Sequence, residues 1–318
     1  MKKFTAVQDV ANLDDFVNEA LHLKQNPYAY KHLGENKVLG LLFLNPSLRT
    51  RMSTQIAGAN LGMNVMVMNL DKEGWALETQ DGAVMNGSTV EHIKEAAAVM
   101  GRYCDIIGIR SFPKLQNREE DYSEDLLNKF ISYCKVPVVS LESATRHPLQ
   151  SFADLLTITE NKPANKRPKV VLTWAPHVKA IPQCVANSFA EWMGQADVDL
   201  VITHPEGYEL ADEFTQNAHV TTNQQEALQD ADFIYVKNWS SYTDYGKVLT
   251  DGEGWMLTNE KLQATNNGKV MHCLPVRRNV EIADEVLDGP QSIVVQQAAN
   301  REFATEMVLR EILADLRK

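Results

Sequence analysis

The chain has 318 residues, 44% hydrophobic and 23% charged, which supplies two sizeable cores and excludes both a small disulfide scaffold and a disordered chain. The net charge is −11 and no basic cluster interrupts the acidic background, so a surface that tracks nucleic-acid phosphates is not expected and any anion site must be local. The longest apolar runs, such as 38–44, are too short to span a bilayer, and the start MKKFTAVQDVANLDD lacks the apolar centre of a signal peptide, so a cytoplasmic protein that makes no membrane contact is expected.

In chain order, a helix is predicted from about Asp14, a strand at 38–44 and a helix opening at Ser47. A strand at 65–70 precedes a helix opening at Ser88, where Glu91 follows three residues later in the spacing of a reciprocal cap. Strands at 106–110 and 136–141 flank a helix from Ser123, and a helix after His147 leads into the second half. That half begins after the polar stretch 161–168 and repeats the alternation, with strands at 170–175, 200–203, 233–236, 269–274 and 292–295 and a closing helix from Asn300 to about Leu316. The fold class is α/β, two doubly wound parallel-sheet domains. Neither half carries GxGxxG or a P-loop, so no nucleotide cofactor is expected and a nicotinamide dehydrogenase is disfavoured. The four cysteines, Cys104, Cys134, Cys184 and Cys273, form no CxxC pair and read as free thiols, with no zinc site.

Ligands of open parallel sheets lie beyond the carboxyl ends of strands, so the residues that follow each strand carry the argument. Ser47-Leu48-Arg49-Thr50-Arg51 passes from a strand into a helix, whose free N–H groups, two hydroxyls and a bidentate arginine suit a phosphate; a Ser-capped helix with two surface arginines is the plain alternative. Arg110 ends a strand, and His147 and Gln150 follow another; together they suit a carbonyl oxygen and an amide. Cys273 sits in His272-Cys273-Leu274-Pro275. Neighbours in an extended strand point to opposite faces, so His272 is poorly placed to activate Cys273 and covalent thiol catalysis is disfavoured.

Taken in order with Asn300-Arg301, these segments resemble the carbamoyl-phosphate motifs of the aspartate and ornithine transcarbamylase family across almost the whole chain. The resemblance implies a carbamoyl-phosphate-binding domain formed by residues 1–146 with 299–318, and an amino-substrate domain over 147–298. It also implies no metal or other cofactor, and a homotrimer with shared active sites. Carried over residue by residue, Ser47, Leu48 through its backbone, Arg49 and Thr50 hold the phosphate and Arg301 adds an anion contact. Arg110, His147 and Gln150 hold the carbamoyl group, Cys273 and Leu274 border the reacting centre, and Trp75 forms an aromatic wall offered to the neighbouring subunit's site.

Two departures from the common pattern resemble the N-acylornithine branch: Leu48 stands where the family has Thr, and Lys237 where ornithine enzymes place an Asp that grips the α-ammonium. A lysine repels an ammonium, so the α-nitrogen of the acceptor is expected to be acylated; otherwise Lys237 turns to solvent. His177, Arg277 and Arg278 are candidates for the α-carboxylate and for a second carboxylate on the acyl group. Val90, small and uncharged, favours N-succinyl over N-acetyl, with Glu91 next door arguing the other way. Glu142 is a candidate acceptor for the δ-ammonium, a hydrogen-bonded orienter, or a plain surface acid. The branch further implies a trefoil knot around the loop 176–182. The expected reaction is carbamoyl transfer to an N-acylornithine in arginine synthesis, with free ornithine as a rival acceptor and a noncatalytic carbamoyl-phosphate sensor as the rival of another class.

Overall fold

Short apolar runs that alternate with helices have one economical arrangement, a parallel sheet covered on both faces, and the chain forms it twice. The computed structural model describes residues 1–70, 72–164 and 166–317. Asn165, inside the polar stretch 161–168, and Lys318, at the end of the expected segment 299–318, lie outside the described residues. Two units are distinguished: Met1–Pro113 with Glu119–Leu149 and Arg301–Lys318, and Lys114–Arg118 with Gln150–Asn300.

The first unit contains β1 (Lys3–Phe4), β2 (Val38–Phe43), β3 (Asn64–Asn69), β4 (Leu77–Glu78), β5 (Glu91–His92), β6 (Ile106–Arg110) and β7 (Val138–Glu142). Five of them make a parallel sheet in the order β1-β7-β6-β2-β3, and β4 pairs with β5 in a separate two-stranded ribbon. The central strands are buried along almost their whole length, whereas β3 alternates exposed with half-buried residues as an edge strand does. Leu42, Ile107, Ile109, Leu127, Phe130 and Val138 build the core over one sheet face. The helix Ile93–Tyr103 approaches the end of the helix Asp125–Tyr133 so closely that a Cβ on Gly101 would lie 1.8 Å from the Cys134 carbonyl oxygen.

The second unit contains β8 (Lys169–Trp174), β9 (Asp199–Thr203), β10 (His219–Thr221), β11 (Phe233–Lys237) and β12 (Lys269–Met271), again all parallel, in the order β10-β9-β8-β11-β12. Val171, Ile234, Val236, Val270 and Ile282 form one core cluster, and Trp174 packs on Tyr208 and Trp255.

Three expectations are corrected. The third long helix begins at Ile93, not Ser88: the His92 ring caps it by accepting the Lys94 N–H, and Glu91 is drawn into β5 and takes the Trp75 indole N–H instead. The run 292–295 is not a strand; Ser292 makes one isolated bridge to Val270, and the final helix starts at Val294. The strand expected to reach Leu274 ends at Met271, so His272 and Cys273 lie beyond it. Gly101→Ala forces a methyl against backbone and should lower unfolding stability by about 1–3 kcal/mol in urea titration; a wild-type midpoint would contradict this packing.

Candidate active site

In the first unit, chemistry gathers at the carboxyl ends of β2, β6 and β7. Ser47 is extended and precedes the helix Leu48–Asn60, but its hydroxyl makes no capping bond, so the first-turn N–H groups are not taken by that side chain. Leu48 is 70% exposed, Arg49 is half-buried, and Thr50 is buried with its Oγ1 accepting from Arg301 Nη2 at 2.8 Å. Arg301 is itself buried.

The ladder between β6 and β7 shifts register after Ile109, which sets Arg110 against Glu142 rather than Leu141. Arg110 donates to Glu142 Oε2 from Nε at 3.1 Å and from Nη2 at 2.8 Å, and its Nη1 reaches the carbonyls of Asn45 and Pro46. Glu142 is therefore no surface acid: it orients the arginine. Its Oε2 also lies 3.7 Å from His147 Nε2. His147 is buried, and its Nδ1 has no partner among the described residues. Burial pushes its pKa down to about 3; Glu142 opposes this, while Arg301 and Arg110 add to it. The ring is thus a neutral hydrogen-bonding group over the physiological range.

Trp75 and Val90 lie just ahead of β4 and β5. Both side chains face solvent, the Val90 N–H donates to the Ala76 carbonyl, and the Trp75 indole donates to Glu91 Oε2 at 2.8 Å.

The second unit holds the remaining candidates. Gln150 is buried and donates to Asp154 Oδ1 at 2.7 Å; the same oxygen accepts from Gln297 Nε2, whose Oε1 in turn accepts the His272 N–H. Cys273 is half-buried, and Leu274 has φ of 56° with its N–H donated to His272 Nδ1. Lys237 ends β11, buried rather than turned to solvent, and donates to the Asn238 carbonyl at 3.0 Å. Arg277 donates to His177 Nε2 at 3.0 Å, so the Nδ1–H of that ring points to the Lys179 carbonyl. Arg278 is exposed and held by Asp284 and Asp288, which compensate its charge locally.

Sequence reading missed Asp154, Gln297 and Glu281. Asp154 sits four residues after Gln150 on one helix, a spacing that marks a side-chain pair. Glu281 carries no local signal: beyond the Arg277 N–H four residues earlier, it meets His272 and Lys237 through folding. Among the described residues, no group of three or more His, Cys, Asp or Glu side chains is placed to hold a metal ion.

A helix start without a side-chain cap, a paired arginine and a neutral buried histidine meet at parallel strand ends, and comparison assigns the class. The carbamoyl-P binding domain of aspartate/ornithine carbamoyltransferase matches residues 2–160, and the Asp/Orn binding domain of the same family matches 182–311. The chain belongs to the aspartate/ornithine carbamoyltransferase family. It is 53% identical to an N-succinylornithine carbamoyltransferase of Bacteroides thetaiotaomicron over 99% of this chain and 100% of that one. An N-acetylornithine carbamoyltransferase of Xanthomonas campestris pv. campestris is 35% identical over 100% of this chain and 99% of its own. A crystal structure of an N-acetyl-L-ornithine transcarbamylase, with one glutamate replaced by valine and in complex with carbamyl phosphate and N-succinyl-L-norvaline, superimposes with a TM-score of 0.91 at 32% identity, covering 98% of this chain and all of that one.

The depressed His147 pKa has a sign that can be tested. Between pH 6.5 and about 3 the unfolded chain binds a proton that the folded ring refuses, so this group stabilises the fold above pH 6.5 and its contribution is lost as pH falls. His147→Gln should remove that part of the acid-side loss in urea titrations at stepped pH; an unchanged pH profile would count against a buried neutral ring.

Proposed function

We propose that the protein transfers the carbamoyl group of carbamoyl phosphate to the δ-amine of N-succinyl-L-ornithine, giving N-succinyl-L-citrulline and phosphate. The observation that carries the acceptor is Lys237: a buried cation at the exit of β11 repels a free α-ammonium and tolerates an acylated nitrogen. The 53%-identical relative, named for N-succinylornithine, supports the same reading, and the crystallised variant of the acetylornithine enzyme holds an N-succinyl amino acid after loss of a glutamate. Val90, uncharged beside Trp75, is the residue assigned to the acyl group.

The neutral δ-amine attacks the carbonyl carbon of carbamoyl phosphate. A C–N bond forms, the C–O bond to phosphate breaks, and the amine gives up its proton. Arg110 and His147 donate to the oxygen that gains charge, Gln150 holds the carbamoyl amide, and the helix start at Ser47–Thr50 with Arg49 and Arg301 takes the leaving phosphate. Glu142 keeps Arg110 in its donating orientation. Cys273 and the Leu274 carbonyl orient the amine, and Arg277, held by the His177 ring, takes a carboxylate of the acceptor. The residues 1–146 with 299–318 are assigned to carbamoyl phosphate and 147–298 to the N-acylornithine.

The same reading includes a homotrimer with shared active sites, placed in the cytoplasm and serving arginine synthesis. Leu48, Met52 and Ile56 recur every four residues along one exposed helix face, and Met66 and Met68 alternate outward on the edge strand β3, an apolar surface suited to a partner copy. Four free cysteines fit a reducing compartment.

Incubating the protein with carbamoyl phosphate and, in turn, N-succinyl-, N-acetyl- and free L-ornithine tests the assignment. N-succinylornithine should lead in kcat/KM by about tenfold or more. A lead for N-acetylornithine reassigns the acyl group to the influence of Glu91, a lead for free ornithine removes the role given to Lys237, and no product from any acceptor supports a carbamoyl-phosphate sensor. Arg49→Ala should cost roughly 100–1,000-fold in kcat/KM; full activity in that variant refutes the phosphate assignment.

A further inference from the structure

Among the described residues, Glu281 is the buried carboxylate of the second unit set beside those assigned to the acceptor, and no role above includes it. It is 1% exposed. Its Oε1 lies 3.4 Å from His272 Nε2, and its Oε2 accepts the Arg277 N–H at 2.7 Å. The charged and titratable groups that face it are His272, Lys237, Arg277 and His177. Burial raises its carboxyl pKa, but the His272 hydrogen bond, the Lys237 charge and the Arg277 N–H oppose burial, and the carboxyl sits below the ordinary glutamate range.

The His272 ring can be read atom by atom. Its Nδ1 accepts the Leu274 N–H at 2.8 Å and so carries no proton; the proton of the neutral ring is therefore on Nε2, aimed at Glu281. The ring transmits the position of the carboxylate to Leu274, a non-glycine residue held at φ 56°, a left-handed conformation that needs support. On the other side, the His272 N–H is bound by Gln297, which shares Asp154 with Gln150.

We propose that Glu281 is a positioning residue for carbamoyl transfer: by accepting the Nε2–H of His272 it holds that ring in the tautomer that binds the Leu274 N–H, and so fixes the Cys273–Leu274 turn that orients the attacking amine. The inference rests on the function proposed above. Only a carboxylate meets both neighbours, because each of its oxygens accepts one N–H. A glutamine at this position sets its own NH2 against either His272 or Arg277.

The test combines a ring measurement with kinetics. In wild-type protein labelled with 15N-histidine, His272, assigned by loss of its signals in His272→Gln, should show the Nε2–H tautomer from pH 6 to 8; an Nδ1–H tautomer overturns the proposal. Glu281→Gln should mix the tautomers and lower kcat about 10–100-fold while the KM for carbamoyl phosphate is unchanged. Glu281→Asp keeps both oxygens on a shorter arm and should retain the tautomer and more of the rate. Wild-type kcat and ring signals in Glu281→Gln, or equal rates in the two variants, overturn the proposal. A wild-type protein that transfers to no acylornithine removes the underlying function, yet the ring measurement still decides the hydrogen-bond chain.

Discussion

At the ends of two adjacent parallel strands, the guanidinium of Arg110 and the carboxylate of Glu142 meet almost sealed from water. Burying two such charges costs several kcal/mol each unless geometry and further hydrogen bonds compensate, and here they do: one carboxylate oxygen receives two N–H groups and the far nitrogen binds two carbonyls of the loop 45–46. The pair therefore has a consequence beyond its own energy. It ties the loop that delivers Ser47 to the ends of β6 and β7, so the helix start and the arginine share one frame. His147 stands in the same frame and remains neutral because burial and two arginines outweigh the one carboxylate that favours its charged form.

The second unit solves an opposite problem. It brings a buried lysine and an exposed arginine close to one half-buried histidine, and cations gathered without a counter-charge would repel one another. Glu281 supplies the internal counter-charge, and Arg277 donates to the neutral His177 ring rather than facing a second cation. The surface arginine of the set, Arg278, is neutralised by two aspartates and so contributes little to the field.

How much of this was legible in the sequence depends on the range of each interaction. The long strands and the helix opening at Ser47 are written in local periodicity, and they emerged where expected. Two-residue β1 and three-residue β10 carry no period to detect; they exist because a neighbouring strand offers an edge. Ser88 and Glu91 have the spacing of a cap, but strand pairing and the Trp75 indole claim Glu91 first. Arg110 and Lys237 were expected at strand exits, and each ends its strand. Glu281 could not be named in advance, since its meaning comes from a histidine nine residues earlier and a lysine on another strand. The environment of Glu142 was equally invisible: a register shift in the ladder, not any motif, turns it toward Arg110.

The bond between Thr50 and Arg301 joins positions 251 residues apart in the chain. During synthesis the strand, loop and helix that carry Ser47 to Thr50 leave the ribosome long before the final helix is made. The buried Thr50 hydroxyl accordingly gains its arginine partner only when the carboxyl-terminal helix has been added, so the earliest part of the first unit is completed by the last.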